Sequence, residues 1–181
     1  MDATALAKLI EAQRRFPALI EAVVAGIDEA VLRGREEPGR WSPIEILRHV
    51  LDEEIFDFRP RARYLVEGGD APAAIDPPTW VIERDYQSAD KDETLAQFAA
   101  ERAASCAWLA TLSPDDLQRE RQITEKTKLR AGDVIAAWHI HDWLHLRQLS
   151  TAIVALTARS LTPWKVGYAG TIPFFDDPLR S

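Results

Sequence analysis

Apolar residues recur with the period of an α-helix along four long segments of this chain, and no other feature constrains the fold as strongly. Between residues 3 and 30 the apolar positions lie about 3.6 residues apart, with charged residues between them, which is typical of an amphipathic helix. Pro17 lies inside this segment. Because proline removes a helical hydrogen bond, it predicts a kink or a break into two shorter helices.

The clearest helix start is the sequence SPIE, which begins at Ser42. Ser42 can cap the helix, Pro43 suits the first helical position and Glu45 completes a capping box. The apolar spacing that follows predicts a second helix from Pro43 to about Val66. Pro60 falls within it, so its last turns are expected to be irregular.

Two more helices are predicted, from about Asp92 to Leu112 and from about Gly132 to Thr157. The stretch 118–129 between them is ambiguous and is consistent with a short strand or a turn. Four helices of this length, without a convincing run of strands, predict an all-α four-helix bundle.

The second and third helices are separated by residues 67–89, which are rich in Gly, Pro and Asp. A 20-residue helix is roughly 30 Å long and about 23 extended residues reach further than that, so this connection can cross the whole bundle. We therefore expect helices two and three to run parallel. Residues 1–157 are predicted to form the bundle, and residues 158–181 an irregular tail packed on the same domain.

The composition excludes several classes of protein. The formal net charge is -7 and the basic residues are scattered, which argues against nucleic-acid binding. The chain has one cysteine, so an intrachain disulfide is impossible. No apolar stretch approaches the roughly 20 residues of a membrane span, and the N-terminal residues lack the layout of a signal peptide. We expect a cytoplasmic protein that binds neither membranes nor nucleic acids.

Three of the four histidines lie within seven residues of the fourth predicted helix. His141 and His145 are four residues apart, so their directions differ by about 40° and both can reach the same ion. His139 lies about 200° around the helix from His141 and points elsewhere. A pair of histidines at this spacing is weak evidence alone, because helical histidines are often ordinary, partly buried side chains.

The remaining histidine, His49, strengthens the case for a metal site. It lies on the second predicted helix, and metal sites in bundles are built from side chains on facing helices. Three histidines with an open fourth position are typical of catalytic rather than structural metal centres. Imidazole suits Zn, Ni, Fe or Cu. The nearby acids Asp52, Glu53 and Asp142 are candidates to orient a ligand or to act as a base; the alternative for each is a solvated helix face.

Other candidate residues carry weaker signals. Cys106 is a possible nucleophile, but a lone helical cysteine is usually a small core residue. Trp138 and Trp143 could line a pocket, although core packing is the better interpretation. Arg48 or Arg147 could bind an anionic cosubstrate, with plain surface exposure as the alternative.

Two stretches, WSPIEILRHVLDEE at 41–54 and HDWLHLRQL at 141–149, resemble motifs of the DinB-like superfamily of four-helix bundles. Its broader relatives include bacillithiol and glutathione S-transferase-like proteins and mycothiol-dependent maleylpyruvate isomerases. The resemblance covers most of residues 1–157. It implies an up-down-down-up helix order and a homodimer, and it places His49, His141 and His145 at the metal-ligand positions of the family. The implied cofactor is a divalent cation, Zn or Ni in the first place and Fe or Mn otherwise.

The resemblance also implies an activity. The expected chemistry is the transfer of a low-molecular-weight thiol to an electrophile, with the metal lowering the pKa of the thiol. Metal-dependent hydrolysis is an alternative compatible with the same ligands. A second alternative is a non-catalytic metal-binding or stress-response bundle that acts through dimerisation or a partner. The aromatic residues of the tail would then cover an interface, or they would pack on their own subunit: Trp164, Tyr168, Phe174 and Phe175.

Overall fold

Seven α-helices and one β-hairpin form the regular secondary structure in the computed structural model, which describes residues 1–124 and 126–174. The helices are α1 (Ala3–Val24), α2 (Glu29–Arg33), α3 (Pro43–Glu53), α4 (Arg59–Glu67), α5 (Pro77–Glu83), α6 (Lys91–Leu109) and α7 (Ala131–Ser160). The strands are β1 (Glu120–Thr124) and β2 (Thr127–Arg130). Short 3₁₀ turns cover Tyr86–Ser88, Asp116–Gln118 and Gly167–Ala169, and a π-helical turn covers Glu54–Phe58.

Helix α1 is continuous through Pro17, so of the two predicted alternatives, a kink or a break, the break is wrong. Pro17 is buried, and its neighbours Phe16 and Ile20 belong to the apolar core. Core packing on both sides of the proline holds the helix together despite the missing N–H group. The break comes instead after Val24, where Gly26 adopts a φ of 69° that favours glycine.

The second predicted helix is present as α3 and α4, joined without interruption by the π-helical turn. This wider turn ends at Phe58, two residues before Pro60, whose ring would clash with the carbonyl of Phe56 in a regular α-helix. The turn therefore lets the helix continue through the proline. It also rotates the face that α4 presents to the core relative to that of α3.

The long connection between α4 and α6 contains the short helix α5, which the sequence did not reveal. Asp76 caps α5, its carboxylate accepting a hydrogen bond from Thr79, and no residue of α5 is buried. The connection is fixed at its far end, where the buried Tyr86 donates its hydroxyl to Asp52 at 2.7 Å.

The ambiguous segment before α7 is an antiparallel hairpin, which corrects the prediction of an all-α fold. In β1 and β2, Arg121 pairs with Leu129 and Gln122 with Lys128. Ile123 and Leu129 pack against the core, whereas most other side chains of the hairpin are exposed. The two strands form a minor addition to an architecture dominated by four long helical rods: α1, the α3–α4 rod, α6 and α7.

The core has two apolar clusters, each built from all four rods. One includes Leu6, Leu65, Leu109 and Ile135, and the other includes Ile20, Leu51, Phe98 and Leu149. On every rod, a buried polar residue lies along the chain between the residues of one cluster and those of the other. We call this set the polar layer, and its members are Gln13, Glu54, Arg102 and Asp142, none more than 1% exposed.

The described residues that follow α7, 161–174, are irregular apart from one 3₁₀ turn. Arg159 donates to the carbonyl of Phe174 at 2.8 Å, and the guanidinium of Arg40 lies 4.5 Å from the centre of the Phe174 ring. Trp164 and Tyr168 are exposed, and Phe175 lies outside the described residues. Among the helices of the described residues, none has both the length and the apolar character needed to span a membrane.

Candidate metal centre

The capping box predicted at the start of α3 is present. The backbone N–H of Ser42 donates to the Glu45 carboxylate at 2.7 Å, and Pro43 occupies the first turn. Arg35 pairs with Glu45 and neutralises this buried carboxylate. The cap fixes where α3 begins, and so it fixes the inward direction of His49, which lies within the first two turns of the helix.

The structure brings together the three histidines singled out in the sequence. The Nε2 atoms of His49 and His145 are 3.1 Å apart, and those of His145 and His141 are 3.0 Å apart. One ligand atom from each ring lies within 4.8 Å of the other two. Tetrahedral Zn²⁺ with Zn–N bonds of about 2.0–2.1 Å separates its nitrogen ligands by roughly 3.3 Å. The observed spacing is close to that value, so the donor set fits a metal ion.

The surroundings of the rings favour the neutral form of imidazole, which is the form that binds metals. Burial lowers the pKa of His49 and of His141, and the adjacent imidazoles lower it further. Burial also lowers the pKa of His145, against the opposing effect of its hydrogen bond with Gln148. No proton has to leave these rings at neutral pH before a cation binds.

Neighbouring side chains orient one of the rings and flank the other two. His145 Nδ1 lies 2.9 Å from the Gln148 side-chain oxygen, which directs its Nε2 towards the other rings. Trp41 packs on His49 with ring centres 4.7 Å apart, and Phe58 packs on His141 at 4.8 Å. Gln148 was not singled out in the sequence, although its position three residues after His145 places it on the same helical face.

Glu53 is the acid that reaches the histidines. Its two carboxylate oxygens lie 3.8 Å from His49 Nε2 and 3.9 Å from His141 Nε2. The side chain is buried, and burial together with the hydrogen-bonded Asp57 raises the pKa of Glu53 to about 8. In turn, Asp57 accepts a hydrogen bond from Arg61 Nε at 2.9 Å. A carboxyl with this pKa can take up and release a proton near neutral pH.

The other two candidate acids have different partners. Asp52 is fully buried and holds Arg84, Tyr86 and Arg48. Asp142 forms a two-pronged pair with Arg102, with N–O distances of 2.7 and 2.9 Å. Both are structural ion-pair partners, and neither occupies a solvated helix face.

The structure also shows the surroundings of the weaker candidates. His139 accepts a hydrogen bond from the indole of Trp143 at 3.4 Å and stays outside the cluster, as its direction on the helix predicts. Trp138 is a core residue that donates to Glu54, and Trp143 is half exposed. Cys106 is buried, which raises the pKa of its thiol and makes it a poor nucleophile.

Arg48, a candidate from the sequence for binding anions, forms a salt bridge with Asp52 at 3.0 Å. Arg147, the second such candidate, is exposed.

Four helical rods with ligand-type side chains converging from α3 and α7 define a helical bundle with a candidate metal site between facing helices. Comparison with protein families agrees with this class: the DinB superfamily profile matches residues 9–149. The chain belongs to the DinB superfamily.

Comparison with solved structures shows the fold independently. YfiT from Bacillus subtilis matches with a TM-score of 0.72 over 88% of this chain and 90% of that chain, at 19% sequence identity. It is described as a probable metal-dependent hydrolase with an unusual four-helix bundle topology. The comparison with curated protein sequences gave no match. The predicted family and the four-helix bundle are thereby confirmed.

Proposed function

We propose that the chain is a metal-dependent enzyme in which His49, His141 and His145 hold a divalent cation and Glu53 accepts a proton from the attacking group. One observation carries the proposal. A buried carboxyl with a raised pKa lies within 3.9 Å of two of three converging imidazole nitrogens. A purely structural metal site would have no need of a proton acceptor at this position.

The donor set narrows the choice of cation. Three neutral imidazoles favour Zn or Ni, and Fe is also compatible, whereas Mn prefers oxygen ligands. When bound, the cation would act as a Lewis acid and lower the pKa of a water or thiol that joins it.

The chain's own residues would perform the remaining tasks. Gln148 holds the ring of His145 in one orientation. Trp41 and Phe58 cover the flanks of two rings and limit the access of water, which strengthens electrostatic interactions inside the site. In the metal-free protein, Glu53 is protonated at neutral pH and hydrogen-bonds Asp57, which is itself held by Arg61. The ionised carboxylate is favoured beside a bound cation, and this form of Glu53 would receive the proton.

We favour hydrolysis as the reaction. A carboxyl beside a three-histidine cluster is suited to accept a proton from water as the water attacks the substrate. The description of YfiT, which shares the fold, as a probable metal-dependent hydrolase supports the same reaction class.

Transfer of a small-molecule thiol to an electrophile is the second candidate. It is supported by the same proton acceptor, because a thiol also gives up a proton before it attacks. The thiol would have to come from solution, because the single cysteine, Cys106, is buried and its thiol pKa is raised.

We also propose the up-down-down-up order of helices. Contacts between Phe16 and Phe98 and between Ile10 and Cys106 support opposite directions for α1 and α6. Contacts of Glu54 with Arg102 and of Arg59 with Ser105 support the same direction for the α3–α4 rod and α6.

Metal analysis of untagged protein tests the site. We expect near-stoichiometric Zn or Ni in the wild type and its loss in the His141→Ala/His145→Ala variant. His139→Ala is the matched control, since His139 lies on the same helix but outside the cluster, and it should retain the metal. A wild type that stays metal-free under metal-replete conditions contradicts the proposal.

Activity assays test the role of Glu53. Metal-loaded protein is incubated with a panel of esters and amides and, separately, with small thiols plus an electrophilic acceptor. We expect metal-dependent turnover in the first panel and its loss in Glu53→Gln, which should still bind metal. Turnover only with thiols and the electrophilic acceptor would establish thiol transfer. The absence of turnover in both panels would favour a non-catalytic binding protein.

A further inference from the structure

The polar layer contains an ion cluster that supplies no ligand atom to the proposed metal site. Its charges nevertheless act on two of the histidines, because Arg102 lowers the pKa of His141 and Asp142 opposes the lowering of the pKa of His145. Arg102 of α6 donates to Asp142 of α7 through Nη1 and Nη2, at 2.7 and 2.9 Å. It also donates to Glu54 through Nε at 2.9 Å. Glu54 accepts a further hydrogen bond from the indole of Trp138 at 3.1 Å, and Arg102 Nη1 lies 3.4 Å from the carbonyl of Gln13. The cluster therefore joins all four rods.

Stability alone does not account for this cluster. The side chains of Arg102, Glu54 and Asp142 are each at most 1% exposed, and together they carry one excess negative charge. Removing such charges from water is costly, and well-packed apolar replacements of buried ion clusters are often neutral or stabilising. What a buried ion cluster does supply is a defined geometry, because the planar guanidinium accepts carboxylates only in certain directions.

The position of the cluster in the sequence connects it to the histidines. Glu54 directly follows Glu53, and Asp142 directly follows His141. Neighbouring residues on a helix move together when the helix slides or turns. Arg102 therefore binds the residue next to Glu53 on the α3–α4 rod and the residue next to His141 on α7.

We infer that the Arg102–Glu54–Asp142 cluster positions α7 against the α3–α4 rod and so sets the distance between His49 and the pair His141 and His145. The inference rests on the proposed metal site. It assigns these three charged residues a positioning role, with α6 as a rigid spacer that contributes no ligand of its own. Apolar packing would hold the helices together but would tolerate small displacements that a three-nitrogen site does not.

The test replaces all three charges at once, because removal of one would leave the others buried and unpaired. The variant Arg102→Met/Glu54→Gln/Asp142→Leu keeps similar volumes and leaves an acceptor for Trp138. The matched control is Arg59→Met/Glu101→Gln, which removes an ion pair between the α3–α4 rod and α6 but does not involve α7. Each protein is measured for Zn²⁺ affinity by chelator competition, for the absorption spectrum of bound Co²⁺, and for urea unfolding without metal.

We expect the triple variant to bind Zn²⁺ at least about tenfold more weakly and to show an altered Co²⁺ spectrum, with a metal-free unfolding midpoint no lower than that of the wild type. The control should keep the wild-type affinity and spectrum. Unchanged Zn²⁺ affinity and an unchanged Co²⁺ spectrum in the triple variant would overturn the inference. If the triple variant does not fold, Asp142→Asn, which has the same shape but a weaker bond to Arg102, is measured for Zn²⁺ affinity and for the Co²⁺ spectrum. The expected changes in these two readouts are the same, whereas its unfolding midpoint should fall because Arg102 loses part of its buried partner.

A readout that needs no metal separates this inference from the proposed function. Imidazole contacts in the metal-free proteins are compared by NMR with ¹⁵N-labelled histidine. The contacts of His49 with His145 should persist in the wild type and the control and weaken in the triple variant; persistence in the triple variant overturns the inference. A wild type that binds no Zn²⁺ contradicts the proposed function, and the NMR comparison still decides the positioning role.

Discussion

Replacing Glu53 by glutamine should stabilise the metal-free protein at alkaline pH and change little at acidic pH. The pKa of Glu53 is raised from 4.5 to about 8, chiefly by burial. The folded state therefore binds a proton that the unfolded chain has already released between these pH values. Stability from this group is fully present below pH 4.5 and is lost as the pH rises through 8. Glutamine has a similar shape and does not titrate, so the Glu53→Gln variant does not lose this stability as the pH rises.

The size of the effect follows from the pKa. At about 1.4 kcal/mol per pKa unit, ionising the buried carboxyl destabilises the folded state by roughly 5 kcal/mol in total. Between pH 5.5 and 8.5 the stability advantage of Glu53→Gln over the wild type should grow by roughly 3 kcal/mol. Other groups that titrate in this range, including the histidines, cancel in the comparison because both proteins contain them.

The assay is urea unfolding in the presence of EDTA at several pH values, with Glu21→Gln as the control, since Glu21 is exposed on α1. The control should show no pH-dependent difference from the wild type. Saturating Zn²⁺ should shrink the advantage of Glu53→Gln, because a nearby cation stabilises the carboxylate. An advantage that stays constant across the pH range would refute the conclusion that Glu53 is a buried, protonated carboxyl in the metal-free protein.

Three further predictions concern the surroundings of the site. Gln148→Leu removes the oxygen that orients His145 and should weaken Zn²⁺ binding by roughly 10–100-fold, whereas Gln148→Glu should retain binding; equal affinities in competition titrations would contradict this role. Tyr86→Phe should destabilise the protein by about 1–2 kcal/mol in urea unfolding, because Asp52 loses a buried donor, whereas the exposed Tyr168→Phe should have no effect. Metal-free protein should lose stability as the pH falls below 6.5, since the unfolded histidines take up protons that the buried rings do not, and His49→Gln should make this decline shallower in acid titrations.

The sequence predicted the elements whose signals are local. The SPIE cap located the start of α3 at Pro43, and the four-residue spacing of His141 and His145 identified their shared face. It also separated His139 from them. These predictions succeed because the period of a helix converts spacing directly into direction.

The features that sequence analysis missed depend on packing between distant segments. The hairpin packs apolar side chains on the core through Ile123 and Leu129, and two apolar residues are too short a pattern to distinguish a strand from a turn. Another attachment, a hydrogen bond from Arg121 to the carbonyl of Leu65, joins residues far apart in sequence. Choosing Glu53 over its neighbour Asp52 and over Asp142 required the positions of Arg84 and Arg102, which lie 32 and 40 residues away along the chain from the acids they bind. The three acids have equivalent signals in the local sequence. Their roles differ because Arg84 binds Asp52 and Arg102 binds Asp142, whereas Glu53 faces the histidines.

The distance along the chain between the candidate ligands has a consequence for biosynthesis. His49 and His145 are 96 residues apart, and every rod contributes to both apolar clusters. Before α7 emerges from the ribosome, the exposed part of the nascent chain holds only one of the three imidazoles, and neither cluster is complete. A cation therefore cannot template the early steps of folding, and it can be captured only after the last long helix has left the ribosome and docked.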